Sequence, residues 1–265
     1  GSSARPYSTG SPAVHLFMAG ALSGTPGKVA KILLGSSERH RLATSDYLAS
    51  LLENTVEINR VGKGLQPEDM AEIAAYVLSH PRIERMFLSG NNLGVGGARQ
   101  LADLLSRSTL KLQRLDLRHN NLGNQGCALL MEGLAANESL ARLDLSANGL
   151  SPAAAGPLAE AVRASRSLVR LDLRHNELGD AGATELAEAL RKGARLLHLD
   201  LSANAIGVRG AEALAGALRS NGVLEVLDVR GNALGAAGIG MLEKARDASA
   251  GAVAARQILL PVSSR

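Results

Sequence analysis

The sequence predicts an α/β solenoid: strand–turn–helix units stacked so that a parallel β-sheet forms the concave face and helices form the convex face. Three observations lead there. A short block recurs at near-constant spacing, and within each unit the apolar period switches from two residues to three and four. The core must also be built from Leu, Ala, Val and Ile, because Trp is absent and aromatic residues are 2% of the 265 residues while apolar residues reach 46%. Such a composition suits many small, similar layers.

The blocks are MFLSGNNLG from Met86, LDLRHNNLG from Leu115, LDLSANGLS from Leu143, LDLRHNELG from Leu171, LDLSANAIG from Leu199 and LDVRGNALG from Leu227, with starts 29, 28, 28, 28 and 28 residues apart. Apolar positions such as Leu112, Leu115 and Leu117 open each unit, the signature of a short strand with one buried face. An asparagine follows at Asn91, Asn120, Asn148, Asn176, Asn204 and Asn232. Its amide donates and accepts at once, so a stack of them can satisfy backbone groups where the chain leaves the sheet. Next come a Leu or Ile and then glycines that permit the turn. A helical pattern closes the unit, as in Ala183, Leu186, Ala187, Ala189 and Leu190. Returning to a parallel neighbour gives every crossover the same hand.

The consensus L-x-x-L-D-L-x-x-N-x-L-G-x-x-G-A-x-x-L-A-x-A-L, running from Ile83 to Leu242, resembles the ribonuclease-inhibitor type of leucine-rich repeat, as in NOD-like receptor sensor domains and Ran GTPase-activating proteins. That resemblance implies a leucine-rich repeat horseshoe of sensor, scaffold or secreted-effector type that binds a protein partner and has no enzymatic activity of its own. It also implies a cytoplasmic setting, reached by delivery into a host cell if the chain is a bacterial effector. The alternative it offers is a GTPase-activating regulator acting on a small G protein, although the loop residues that family uses do not map onto this chain.

Terminal units have to cover an open hydrophobic face and are atypical. Residues 55–82, with Val56, Ile58, Leu65, Met70, Ile73 and Val77, form a degenerate N-terminal capping repeat in which Lys63 replaces the asparagine. Six repeats occupy 83–251, and 252–265 is a C-terminal cap and tail whose Gln257–Val262 stretch adds a last short strand. Residues 1–12 are expected to be disordered or tag-derived. Residues 13–54 are expected to be a helical region of unclear role, with a helix over Ser45–Asn54.

Between the buried leucines, three columns point onto the concave face. The first is Arg85, Arg114, Arg142, Arg170, His198, Val226; the second is Phe87, Asp116, Asp144, Asp172, Asp200, Asp228; the third is Ser89, Arg118, Ser146, Arg174, Ser202, Arg230. Two roles fit them. The Arg and Asp ladders can neutralise each other and keep the sheet soluble, or they can recognise a partner through bidentate, charge-assisted contacts. Arg118-His119 and Arg174-His175 recur with Ser146-Ala147 and Ser202-Ala203 between them. Duplication of a repeat pair explains that alternation, and a basic strip at one lip of the horseshoe is its functional counterpart. Charge reversal at Arg118 and Arg174 is then expected to abolish binding without changing the melting temperature.

Other chemistries find little support. The net charge of +4 comes from 29 Lys+Arg against 25 Asp+Glu, intermixed along the chain, which argues against a nucleic-acid stripe. No apolar run approaches the length of a membrane span. Cys127 falls where other repeats carry Ala98, Ala155, Ala183 and Ala211, so a buried core thiol is expected instead of a nucleophile. His119 and His175 lie two repeats apart, about 10 Å at sheet spacing, too far to share a metal. No cofactor is expected.

Overall fold

The computed structural model describes residues 56–248 and 256–261. The expectations for residues 1–12 and 13–54, including the Ser45–Asn54 helix, lie outside the described residues. The described elements are β1 (Glu57–Asn59), α1 (Asp69–Ser79), β2 (Arg85–Phe87), α2 (Gly94–Leu105), β3 (Arg114–Asp116), α3 (Gly123–Ala135), β4 (Arg142–Asp144), α4 (Ala155–Ala164), β5 (Arg170–Asp172), α5 (Gly179–Arg191), β6 (His198–Asp200), α6 (Val208–Ser220), β7 (Val226–Asp228), α7 (Gly235–Ala248) and β8 (Gln257–Leu259). The eight strands form one parallel sheet in chain order.

Each strand turns its middle residue inward. Ile58, Met86, Leu115, Leu143, Leu171, Leu199, Leu227 and Ile258 are all buried and pair across the sheet in that order. They meet helix residues such as Leu101, Leu130, Leu158, Leu186, Leu214 and Leu242, also buried. At roughly 1.5–3 kcal/mol per fully buried side chain of this size, the spine they form is the main source of stability. Sheet strands step by about 4.8 Å while packed helices need about 8–10 Å. The two layers therefore differ in length, and the stack curves with the sheet inside.

The one 29-residue unit keeps this register, since Arg85 pairs with Arg114 and Phe87 with Asp116. Its extra residue is taken up in the 106–113 connection between α2 and β3. Helix starts follow an equally local rule. A Cβ on Gly97, Gly182 or Gly210 would come within 2.6–2.7 Å of the leucine or isoleucine side chain four residues earlier. The third repeat has Ala154 at this position, and there the helix opens as a 3-10 turn over Pro152–Ala154, capped by the Ser151 hydroxyl. Units also cap one another. The Asp180 carboxylate accepts from Gly207 N at 2.6 Å and Gly210 N at 2.8 Å at the start of α6.

The asparagines form the ladder expected of them, and they do so by reaching backward. Asn148 Oδ1 accepts from Asn120 N at 3.1 Å and Leu122 N at 3.3 Å, while its Nδ2 donates to Leu117 O at 2.9 Å. Asn176 and Asn232 repeat the pattern one and three units later. Asn91 serves Lys63 N and Leu65 N, each at 3.0 Å, so the ladder extends into the first unit even though that unit has a lysine there. A second series stands at the helix ends, where Asn137 and Asn221 donate to Leu105 O at 2.9 Å and Leu190 O at 2.8 Å. Before β8 the buried Arg256 guanidinium takes this place, donating to the carbonyls of Leu218, Asn221 and Leu224. The residue preceding each ladder asparagine has positive φ: Gly90, His119, Ala147, His175, Ala203 and Gly231 lie between 51° and 69°.

Candidate functional site

The concave face is built from strands whose leucines are locked inward, which fixes the outward direction of the residues beside them. The columns read from the sequence stand in register: Arg85, Arg114, Arg142, Arg170, His198 and Val226 in one, Phe87, Asp116, Asp144, Asp172, Asp200 and Asp228 in the next. The two columns differ sharply in access. Arg114, Arg142 and Arg170 are exposed, whereas the Asp116, Asp172 and Asp228 side chains retain only 2%, 9% and 6% of their surface.

The cause is the third column, which folds back over the second. Arg118 forks onto Asp116, Nε to Oδ1 at 3.0 Å and Nη2 to Oδ2 at 2.8 Å, and also lies 3.3 Å from Asp144. Arg230 grips Asp228 in the same way, and Arg174 pairs with Asp172 at 3.2 Å. Where the repeat has serine, the Ser146 hydroxyl lies between Asp144 and Asp172, and the Ser202 hydroxyl donates to Asp200 at 2.6 Å. The aspartates also serve their own chain. Each accepts the N–H two residues on, from Arg118, Ser146, Arg174, Ser202 and Arg230, at 2.9–3.2 Å. An aspartate at a strand end thus closes a local turn where sheet pairing stops.

These contacts show in the protonation equilibria. Burial pushes the Asp144 and Asp172 carboxyls up, helped by the neighbouring aspartates and opposed by hydrogen bonds from Ser146 and Arg174. The hydrogen bond to Asp116 raises the Arg118 guanidinium, so it stays charged. Burial pushes the Cys127 thiol up to about 12, the behaviour of an inert core side chain. Among the described residues no group of three His, Cys, Asp or Glu side chains could hold a metal ion.

The structure redistributes the sequence-derived site residues. Arg118 and Arg174 are bound to aspartates, while His119 and His175, turned away by φ of 52° and 54°, stand exposed at the rim without joining them in one strip. Reversing Arg118 is therefore expected to lower stability, contrary to the sequence expectation, because Asp116 and Asp144 would lose their cation and gain a repelling neighbour. Arg85 is occupied by Glu57 of β1 at 3.0 Å, a partner that subtracting one repeat from Arg85 would have found. Arg114 lies over the half-buried Phe87 ring, 5.0 Å from its centroid. Among the described residues Arg114, Arg142 and Arg170 form no ion pair.

A leucine-rich repeat model matches the chain in four places, residues 110–131, 164–187, 196–215 and 220–242. With the strand–helix order above, these matches make the fold a leucine-rich repeat solenoid. No curated protein sequence matches. Among solved structures, actin-binding site 2 of leiomodin-1 is similar at 21% identity and a TM-score of 0.41, over 47% of this chain and 74% of that one. An internalin (InlF) from Listeria monocytogenes aligns at 11% identity and a TM-score of 0.24, over 89% of this chain and 97% of that one.

Proposed function

We propose that this solenoid is a protein-interaction module that holds a partner on the concave face of its sheet. The observation that carries the reading is the separation of charge by access. The carboxylates of the central column are already used within the chain, while the guanidiniums of Arg114, Arg142 and Arg170 stand exposed on rigid, adjacent strands. Arginines held at fixed spacing lose little further order on binding, and arginine is among the residues that dominate interface energies. The sequence-derived contact residues divide accordingly. Arg114, Arg142, Arg170 and His198 are the ones that reach the partner, with Phe87 beside them, while Asp116, Asp144, Asp172, Asp200 and Asp228 hold the face together.

The test is site-specific photo-crosslinking in extracts of the source cells. The crosslinker is placed at Val226 on the sheet face and at Glu185 or Arg209 on the helix side. Crosslinks to one partner from the sheet position alone, lost on Arg142→Glu, are the expected result. Equal crosslinking from the helix positions would overturn the reading. Arg142 is the variant of choice because its guanidinium forms no ion pair among the described residues, so altered binding is not traced to a lost pair there.

A further inference from the structure

We infer that the segment taken by this face is an acidic α-helix lying across the strands, with a line of carboxylates on Arg114, Arg142 and Arg170 and an apolar residue against Phe87. The inference rests on the concave-face reading and adds the chemistry of the occupant. Among the described residues, the row of cations without an ion pair is bounded on both sides. Arg85 is spent on Glu57, and beyond Arg170 the column continues as His198 and Val226. That leaves three guanidiniums in line, the first with its Cζ over an aromatic ring.

Spacing selects the partner's backbone. The outer two arginines are two strand steps apart, about 9.6 Å at 4.8 Å per step. Carboxylates at i, i+3 or i+4, and i+7 of a helix lie on one face and span about 10.5 Å along the axis, a mismatch of about 1 Å. Three same-side residues of an extended strand span about 13 Å, which pulls the outer pairs out of bidentate reach. Charge selects its sign. The aspartates beneath are covered by Arg118, Ser146 and Arg174, so an approaching carboxylate meets guanidinium first. Phe87 replaces aspartate at this end of its column. It offers apolar surface where the ladder begins, which places the apolar residue of the helix beside the carboxylate that meets Arg114.

The experiment titrates the full chain with fluorescent alanine-rich peptides at low and physiological salt, with anisotropy as readout. One peptide carries glutamates at i, i+4 and i+7 with a flanking leucine. A second has the same composition with the glutamates spread around the helix, and a third is the first peptide broken by a central proline. Polyphosphate is the competitor. The one-faced helix is expected to bind at least tenfold more tightly than the other two peptides. Arg142→Glu is expected to weaken it at least tenfold, and Phe87→Ala to weaken it several-fold with an unchanged salt slope, both variants keeping the wild-type circular dichroism. Equal binding of all three peptides, or displacement by polyphosphate at equal charge concentration, would overturn the inference in favour of a general polyanion surface. If no peptide binds while sheet-face crosslinking persists, the helical occupant is wrong and the concave-face reading stands. Loss of the crosslinks as well removes both.

Discussion

Replacing Asn148 by alanine should cost far more stability than the same change at Asn120, although both belong to one ladder and both are buried. In Asn148→Ala the carbonyls of Leu117 and Ser146 lose one donor each but keep another, Asn120 Nδ2 at 3.0 Å and His119 N at 3.1 Å. The N–H groups of Asn120 and Leu122 lose Asn148 Oδ1 and have no second acceptor among the described residues. Two buried donors left unpaired cost about 1–3 kcal/mol each, or about 2–6 kcal/mol together. That is a large part of the ~5–15 kcal/mol a domain of this kind has in hand. Asn120 differs because its Oδ1 accepts from no donor among the described residues. The carbonyls its amide nitrogen serves, Leu88, Leu117 and Arg118, have other donors in Asn91, Asn148 and Gly90. Asn120→Ala therefore leaves no N–H stranded and should cost about 0.5–1.5 kcal/mol, the net worth of a hydrogen bond. Urea unfolding followed by far-ultraviolet circular dichroism measures both. Equal losses, or a larger loss at Asn120, would refute this view of the ladder. A reduced m-value in Asn148→Ala would show the stack coming apart at that turn, since repeat arrays unfold piecewise when one interface weakens.

Three other changes have distinct signatures. Because the Asp172 carboxyl is raised in the fold, the folded chain holds that proton more tightly than the unfolded one. Its contribution is fully present below the unfolded value and is lost as pH rises through the folded value. The melting temperature of Asp172→Asn should accordingly gain on wild type between acid and neutral pH, and a difference that shrinks with pH would show that Arg174 and Ser146 more than offset the burial. Ala147, at φ of 52°, should be stabilised modestly by glycine, since the left-handed conformation costs an L-residue about 1–2 kcal/mol and glycine's extra freedom returns about 0.5–1. Ala147→Val should lose stability, and a valine variant that melts with or above wild type would contradict that. Asp180→Ala removes the cap on α6 and should cost about 0.5–2 kcal/mol by thermal melting, with an unchanged melting temperature as the contrary result.

The period of the chain made the sheet, its register and the asparagine ladder legible, because each depends on residues one repeat apart. Ala154 shows where legibility stopped at the level of elements. The pattern expects a helix like the others, yet only the close approach of the side chain four residues earlier, as at Gly97, Gly182 and Gly210, shows why glycine stands there and why this unit begins as a 3-10 turn. The columns of the concave face were legible as columns, but their availability was not. Asp116 and Arg118 are two residues apart and so share a face, a signal sufficient to pair them. Counting charges column by column hides it and leaves Arg118 grouped with its neighbour His119. The distinction between Arg118, spent on Asp116 and Asp144, and Arg142, which forms no ion pair among the described residues, depends on side-chain direction, which the repeat pattern does not carry.

The backward reach of the asparagines gives the stack a polarity. A turn is finished by an amide that arrives one repeat later: Asn232 closes the turn containing Asn204 and Ile206, and Asn204 the one containing Leu178. As such a chain leaves the ribosome, its newest turn is hydrated and provisional until the next unit has been translated and docked. Maturation therefore travels from the amino end like a zipper, and a fragment cut short from the carboxyl end is left with a single open turn, at its last unit.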